Sequence, residues 1–203
     1  MSRVIQSIIA LESGEKPIEP FNFTENENTV NAEKLLYVVT DPFQIELNSK
    51  RNLNALYNHM EGLLRSDPEL FTQWEQSTIN LSELLNIIIR QLPCMLNPKS
   101  ELTLAQYCKA TDLIIAEKKT MDPVEHIYSL LDFAAEFMPD KLIVLCNTGL
   151  YLDETQRYEI LKYICYTKLR VLMIDRQLPA QLYQNEIRWI IHNDFSDEIM
   201  SVT

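Results

Sequence analysis

Glycine is nearly missing from this chain: there are three in 203 residues, Gly14, Gly62 and Gly149. A phosphate cradle of the G-x-x-x-x-G-K-[ST] type needs glycines so that backbone N–H groups can close around an anion. None of the three precedes a Lys-Ser or Lys-Thr pair, which excludes nucleotide hydrolysis by that route. Histidine is as scarce, and His59, His126 and His192 fall on separate predicted elements without H-x-x-x-H or H-E-x-x-H spacing, so no zinc chemistry is indicated. Cys94, Cys108, Cys146 and Cys165 form no C-x-x-C pair and mostly sit in apolar surroundings, so buried free thiols are expected. No G-x-S-x-G elbow points to a hydrolase, and the chain reads as a non-enzyme. There is neither an uninterrupted apolar run of about eighteen residues nor a charged-then-apolar export signal, so the expectation is a cytoplasmic protein without membrane contact.

Positive charge is the other shortage. Lys plus Arg is 18 against 29 Asp plus Glu, a net charge of −11, which argues against a diffuse grip on nucleic acid. The deficit is uneven: residues 49–112 carry six basic and seven acidic side chains, leaving −10 for the remainder. The middle of the chain is therefore the part least repelled by a phosphate backbone.

What is present is a core. The chain is 46% hydrophobic and 9% aromatic, enough to fold into one domain or a domain with an insert. Val4, Ile5, Ile8, Ile9 and Leu11 make a short helical face, and residues 14–33 read as a loop with a short strand at Phe21 and Phe23. Leu35 to Val39 reads as a buried strand, followed by a second short strand at Gln44 to Leu47. Leu53, Leu56, Met60 and Leu63 then recur at helical spacing until Asp67 and Pro68 break the pattern. Phe71, Trp74, Thr78, Leu81, Leu85, Ile88 and Leu92 form a heptad seam on a second helix running to Pro93, about 37 Å long and able to project from a compact body as one arm of an antiparallel hairpin.

Beyond the junction at Asn97 to Ser100 come a short helix at Ala105 to Ala110 and a strand at Leu113 to Ala116. Asp122 and Asp153 each sit at the start of a capping box, before helices whose inward faces are Val124, Ile127, Leu130, Leu131 and Ala134, then Ile160, Leu161 and Ile164. Apolar strands follow at Lys141 to Cys146 and Leu169 to Ile174, with a last strand at Glu186 to Ile191. The pattern implies an α/β head from 1–48 and 113–203 with a helical leg inserted at 49–112, its crossovers right-handed.

Two strands, Leu35 to Asp41 and Val171 to Asp175, end in an acid, as does the magnesium-holding strand of P-loop nucleotide hydrolases. Without a phosphate loop this leaves a degenerate nucleotide-binding protein as a third-ranked alternative. Basic residues cluster as Lys50 with Arg51, Lys99, and Lys118 with Lys119, all near the expected head-to-leg boundary. Each alone fits a solvated surface charge, but together they suit a DNA-facing collar, since phosphate contacts need gathered cations.

Leu35 to Asp41 followed by Ile45 to Ser49, then Asp67-Pro68-Glu69, then Lys141 to Asn147 with Tyr151 and Leu152, then Val171 to Arg176 stand in the order of one family. Over residues 2–199 the chain resembles the subtype II-A CRISPR-associated spacer-acquisition ring proteins. The resemblance implies a P-loop-NTPase-like head without a phosphate-binding loop, a helical leg, and a homotetrameric ring threading double-stranded DNA ends. It also implies calcium as an ion partner, no nucleotide, no catalysis, and work beside the CRISPR integrase proteins and the RNA-guided nuclease. Two departures stand out: the strand region usual ahead of Val4 to Leu11 is missing, and the acid-rich leg-to-head segment is reduced to Glu101, with Glu117 and Asp122 as further candidate ligands. A protein–protein scaffold that holds no nucleic acid is the principal alternative.

Overall fold

The computed structural model describes residues 2–19, 22–25, 27–96, 102–116, 122–192, 194 and 196–201. In chain order the elements are α1 (Ser2–Glu12), β1 (Thr24–Glu25), β2 (Asn28–Thr29), α2 (Ala32–Leu35), β3 (Leu36–Val39), α3 (Lys50–Ser66), α4 (Pro68–Ile89), α5 (Leu104–Ala110), α6 (Pro123–Phe137), β4 (Leu142–Cys146), α7 (Glu154–Thr167), β5 (Arg170–Ile174), β6 (Ile187–Ile191) and β7 (Asp197–Ser201). They form two compact units, one from 1–46 with 118–203 and one from 47–117, next to sequence-based boundaries at 48/49 and 112/113.

The first unit is built on a parallel sheet ordered β3-β4-β5, with Leu36 opposite Leu142 and Leu142 opposite Arg170. Strands buried on both faces read as continuous apolar runs, which is what Leu-Tyr-Val-Val and Leu-Ile-Val-Leu-Cys are. Alternation sends Leu36, Val144 and Cys146 to one face, where Ile8 of α1 packs on them and Ile5, Leu11 and Phe23 complete the cluster. Ile143 and Leu145 point the opposite way and are fully buried, as are Ile127, Leu130 and Leu131 of α6 and Ile160 of α7. Strands added in one direction through same-handed crossovers put both helices on that second face. Tyr163 of α7 donates a hydrogen bond to Asp132 of α6, and that bond, with burial, pushes the phenol up to about 12.

Both capping boxes form: Asp122 accepts from the Glu125 amide at 2.8 Å, and Asp153 accepts from the Gln156 amide at 2.8 Å. Residues 14–33 hold more than a loop, because β1 and β2 pair and Asn31 caps α2; Phe21 lies outside the described residues, and Phe23 precedes β1. No strand forms at Gln44 to Leu47. Pro42 starts a 3-10 turn over Pro42–Gln44 instead, because Asp41 accepts the Phe43 amide at 3.0 Å and the proline ring presets the backbone. Past β5 the chain makes a separate antiparallel hairpin from β6 and β7, and β7 had no counterpart in the sequence reading.

In the second unit, Asp67 ends α3 and caps α4, accepting from the amides of Glu69 and Leu70 at 2.9 and 3.1 Å. Leu113 to Ala116 is not a strand, because side chains take the place of a strand neighbour. Asn48 accepts the Ile115 amide at 2.8 Å and donates to the Ile115 carbonyl at 3.0 Å, while Tyr57 donates to the Leu113 carbonyl at 2.6 Å. α4 stops at Ile89 rather than running to Pro93, because the following amides of Gln91 and Leu92 tighten to i→i−3 bonds before a proline that cannot continue the helix. Cys108 and Cys146 are buried free thiols, whereas Cys94 and Cys165 are exposed: Cys94 follows the end of α4, and Cys165 lies on the outer side of α7. The expectation of four buried thiols is corrected for those two.

Candidate interaction surfaces

Open parallel sheets bind ligands outside the carboxyl ends of their strands. Here that edge is satisfied from within. Asn147 follows β4 with φ +58°, in the left-handed region that asparagine tolerates better than most residues, and its amide donates to the Ile174 carbonyl at 2.8 Å. The turn brings the Gly149 amide to 2.9 Å from Asp175 Oδ1, with the Thr148 hydroxyl 3.3 Å from Oδ2. Arg157 of α7 reaches the same carboxylate at 3.3 Å and Glu186 at 3.2 Å, and Arg188 meets Glu186 at 3.1 Å. All four side chains are about nine-tenths buried. Of the two acids that a nucleotide-binding reading would offer a metal, Asp175 is thus tied to a guanidinium, and Asp41 accepts the Phe43 amide in the 3-10 turn. Burial, with the Asp175 charge behind it, pushes the Cys146 thiol up to about 11.

The candidate cations divide. Lys50 is exposed and Arg51 half-buried, adjacent in the first turn of α3, whose cap is Ser49. Lys99, Lys118 and Lys119 lie outside the described residues, as do Glu101 and Glu117. Asp122 is exposed and its Oδ1 accepts the α6 capping bond. Among the described residues no group of three or more His, Cys, Asp or Glu could hold a metal.

The other unsatisfied surfaces are apolar. α4 has no buried residue, and its heptad seam is only half covered. Phe71, Trp74 and Thr78 are half-buried, Trp74 lying edge-on to Tyr107 of α5, while Leu81, Leu85, Ile88 and Leu92 are exposed together with Ile79, Leu84 and Ile87. Residues 79–96 contain one acid, Glu83, and one base, Arg90, in a chain of net charge −11. The second surface is the hairpin, where Ile187, Trp189, Ile191 and Ile199 are all more than half exposed. Neither Arg157 nor the hairpin face entered the sequence reading. Arg157 carries no local signal, since its carboxylate partners are 18 and 29 residues away. The odd-numbered hydrophobics of β6 were a readable alternation.

No described helix is long and apolar enough to cross a membrane. Comparison with known proteins identifies what the fold and these surfaces belong to. The model of the family described as CRISPR-associated protein (Cas_Csn2) matches residues 15–195. A CRISPR-associated protein Csn2 from Enterococcus faecalis is 24% identical over 161 residues, spanning 79% of this chain and 70% of that protein. The crystal structure of Stu0660 of Streptococcus thermophilus has a similar fold, with a TM-score of 0.58 at 14% identity over 85% of this chain; the chain spans 59% of the length of that structure. With the family model covering most of its length, the chain belongs to the CRISPR-associated Csn2 family, which takes part in CRISPR adaptation.

Proposed function

We propose that this protein is a non-catalytic ring of four copies that closes around double-stranded DNA ends in the cytoplasm during spacer acquisition, beside the integrase proteins and the RNA-guided nuclease. The observation that carries the reading is α4. A long helix with no buried residue and an almost charge-free stretch of exposed Leu and Ile is a surface that copies of an otherwise acidic chain can share. Closure answers the charge problem: the acids face outward while few cations converge on the duplex. Lys50 and Arg51, with Lys99, Lys118 and Lys119, are the residues proposed to face it. The head is then a P-loop-NTPase-like unit whose phosphate site is gone, and the Asp175 to Arg157 pairing supports a role without nucleotide.

Threading requires a free end. In a gel shift, linear duplex binds and covalently closed circular duplex of the same sequence does not; equal binding to both removes the ring mechanism. The net charge favours a second reading, a scaffold that holds protein and no DNA. Lys50→Glu with Arg51→Glu separates them: the ring reading expects weaker DNA binding and a salt slope reduced by about two, the scaffold reading no change.

A further inference from the structure

A ring of four copies poses a counting problem that α4 alone does not solve. A contact in which two copies share the same patch pairs them and is then used up, so closing four copies through contacts of that kind takes a second, different patch on every copy. The β6–β7 hairpin carries one. Its register sets Trp189 opposite Ile199 and Ile191 opposite Asp197, so Ile187, Trp189, Ile191 and Ile199 share one face. They are 77%, 65%, 59% and 70% exposed. Arg188 and Ile190 point the other way: Arg188 donates to the carbonyls of Pro179 and Gln181 at 3.0 and 2.6 Å, and Ile190 is half-buried. The ribbon is therefore anchored by one face and presents the other to solvent.

Stability, area and charge together identify what covers that face. A lone two-stranded sheet is marginal in water, and this one joins no other strand among the described residues, so its cover has to be present whenever the chain is. A second copy always meets that condition. The four side chains expose on the order of 500 Å² per copy, so a pair of copies covers about 1,000 Å², where a stable interface begins. Arg188 is the one Lys or Arg in either strand, and it is turned away and about nine-tenths buried, so the face offers a phosphate backbone no cation. We propose, building on the ring reading above, that this face packs on the same face of a second copy and that this contact, together with α4, closes the ring. With the two ribbons centred on the Trp189–Ile199 pair and running in opposite directions, each Asp197 lies over the Ile187 level of the other copy. The two carboxylates then stand about 13 Å apart along the strands, more than the screening length, and each already accepts the Trp189 indole N–H of its own copy at 2.7 Å.

Light scattering of the full chain gives the count. The unaltered protein should weigh four copies, Ile187→Glu with Ile199→Glu two, Leu84→Glu with Ile88→Glu two, and all four substitutions together one. Acrylamide quenching of Trp189, with a Trp189→Phe chain as background for Trp74, should rise several-fold in the hairpin pair and stay unchanged in the α4 pair. Ile199→Thr keeps a strand-forming residue and should raise the concentration at which the particle dissociates by about tenfold or more. Four copies kept by Ile187→Glu with Ile199→Glu, or unchanged association and quenching in Ile199→Thr, overturns the hairpin contact alone and leaves the ring to be closed elsewhere. A hairpin pair reduced to one copy overturns the scheme of two contacts. An unaltered mass below four copies overturns the ring reading and the hairpin contact with it.

Discussion

Asp175 shows how one residue's position can be readable while its use is not. An acid after an apolar strand is visible in the sequence, but whether it meets a metal or an arginine depends on a helix 18 residues earlier. Removing one member of a buried pair strands the other, so Asp175→Ala should cost about 3 kcal/mol and lower the unfolding midpoint by several degrees in a thermal melt. The thiols give a second check. Cys94 and Cys165 are exposed, while Cys108 and Cys146 are buried with their thiols pushed up. Brief alkylation of the native protein near pH 8 should label the first pair and spare the second, read by peptide mass spectrometry. Because the fold favours the protonated Cys146 thiol, the associated stability is intact below its ordinary 9.0 and is lost as pH rises through about 11. Cys146→Ala should flatten that alkaline loss. The cations proposed to face DNA, Lys50, Arg51, Lys99, Lys118 and Lys119, are singled out in the sequence only by their common place near the expected head-to-leg boundary, since side-chain convergence is a property of the folded assembly.

At the level of elements, periodicity worked where one physical cause dominated. The strands of the parallel sheet are short apolar runs, and α6 and α7 begin at capping boxes whose two bonds are local in sequence. It failed where a distant partner decided. Leu113 to Ala116 has strand composition, but Asn48 and Tyr57 satisfy its backbone from 67 and 56 residues away. Asn48→Ala should leave both Ile115 groups unpaired and cost about 2 kcal/mol, seen as faster amide exchange around residue 115. α4 offers the opposite case, because its seam is legible but its cover is missing for half its length. Leu84→Glu with Ile88→Glu alters side chains that pack little in the single chain, so the unfolding midpoint should shift by no more than a few degrees. The same pair of substitutions should dissociate the particle in sedimentation; an intact particle would place its contacts elsewhere.

For the whole molecule, the governing fact is an acidic chain with two exposed apolar surfaces, one on α4 and one on the β6–β7 hairpin. The one on α4, with a single acid and a single base over residues 79–96, suits copies of itself. Family membership connects the chain to CRISPR adaptation, while the mechanism rests on self-association. The most direct measurement is light scattering of the purified full chain with and without blunt duplex fragments. A mass four times the 23.7 kDa chain, rising further when linear duplex is added, is the predicted result. A mass of one chain under both conditions contradicts it.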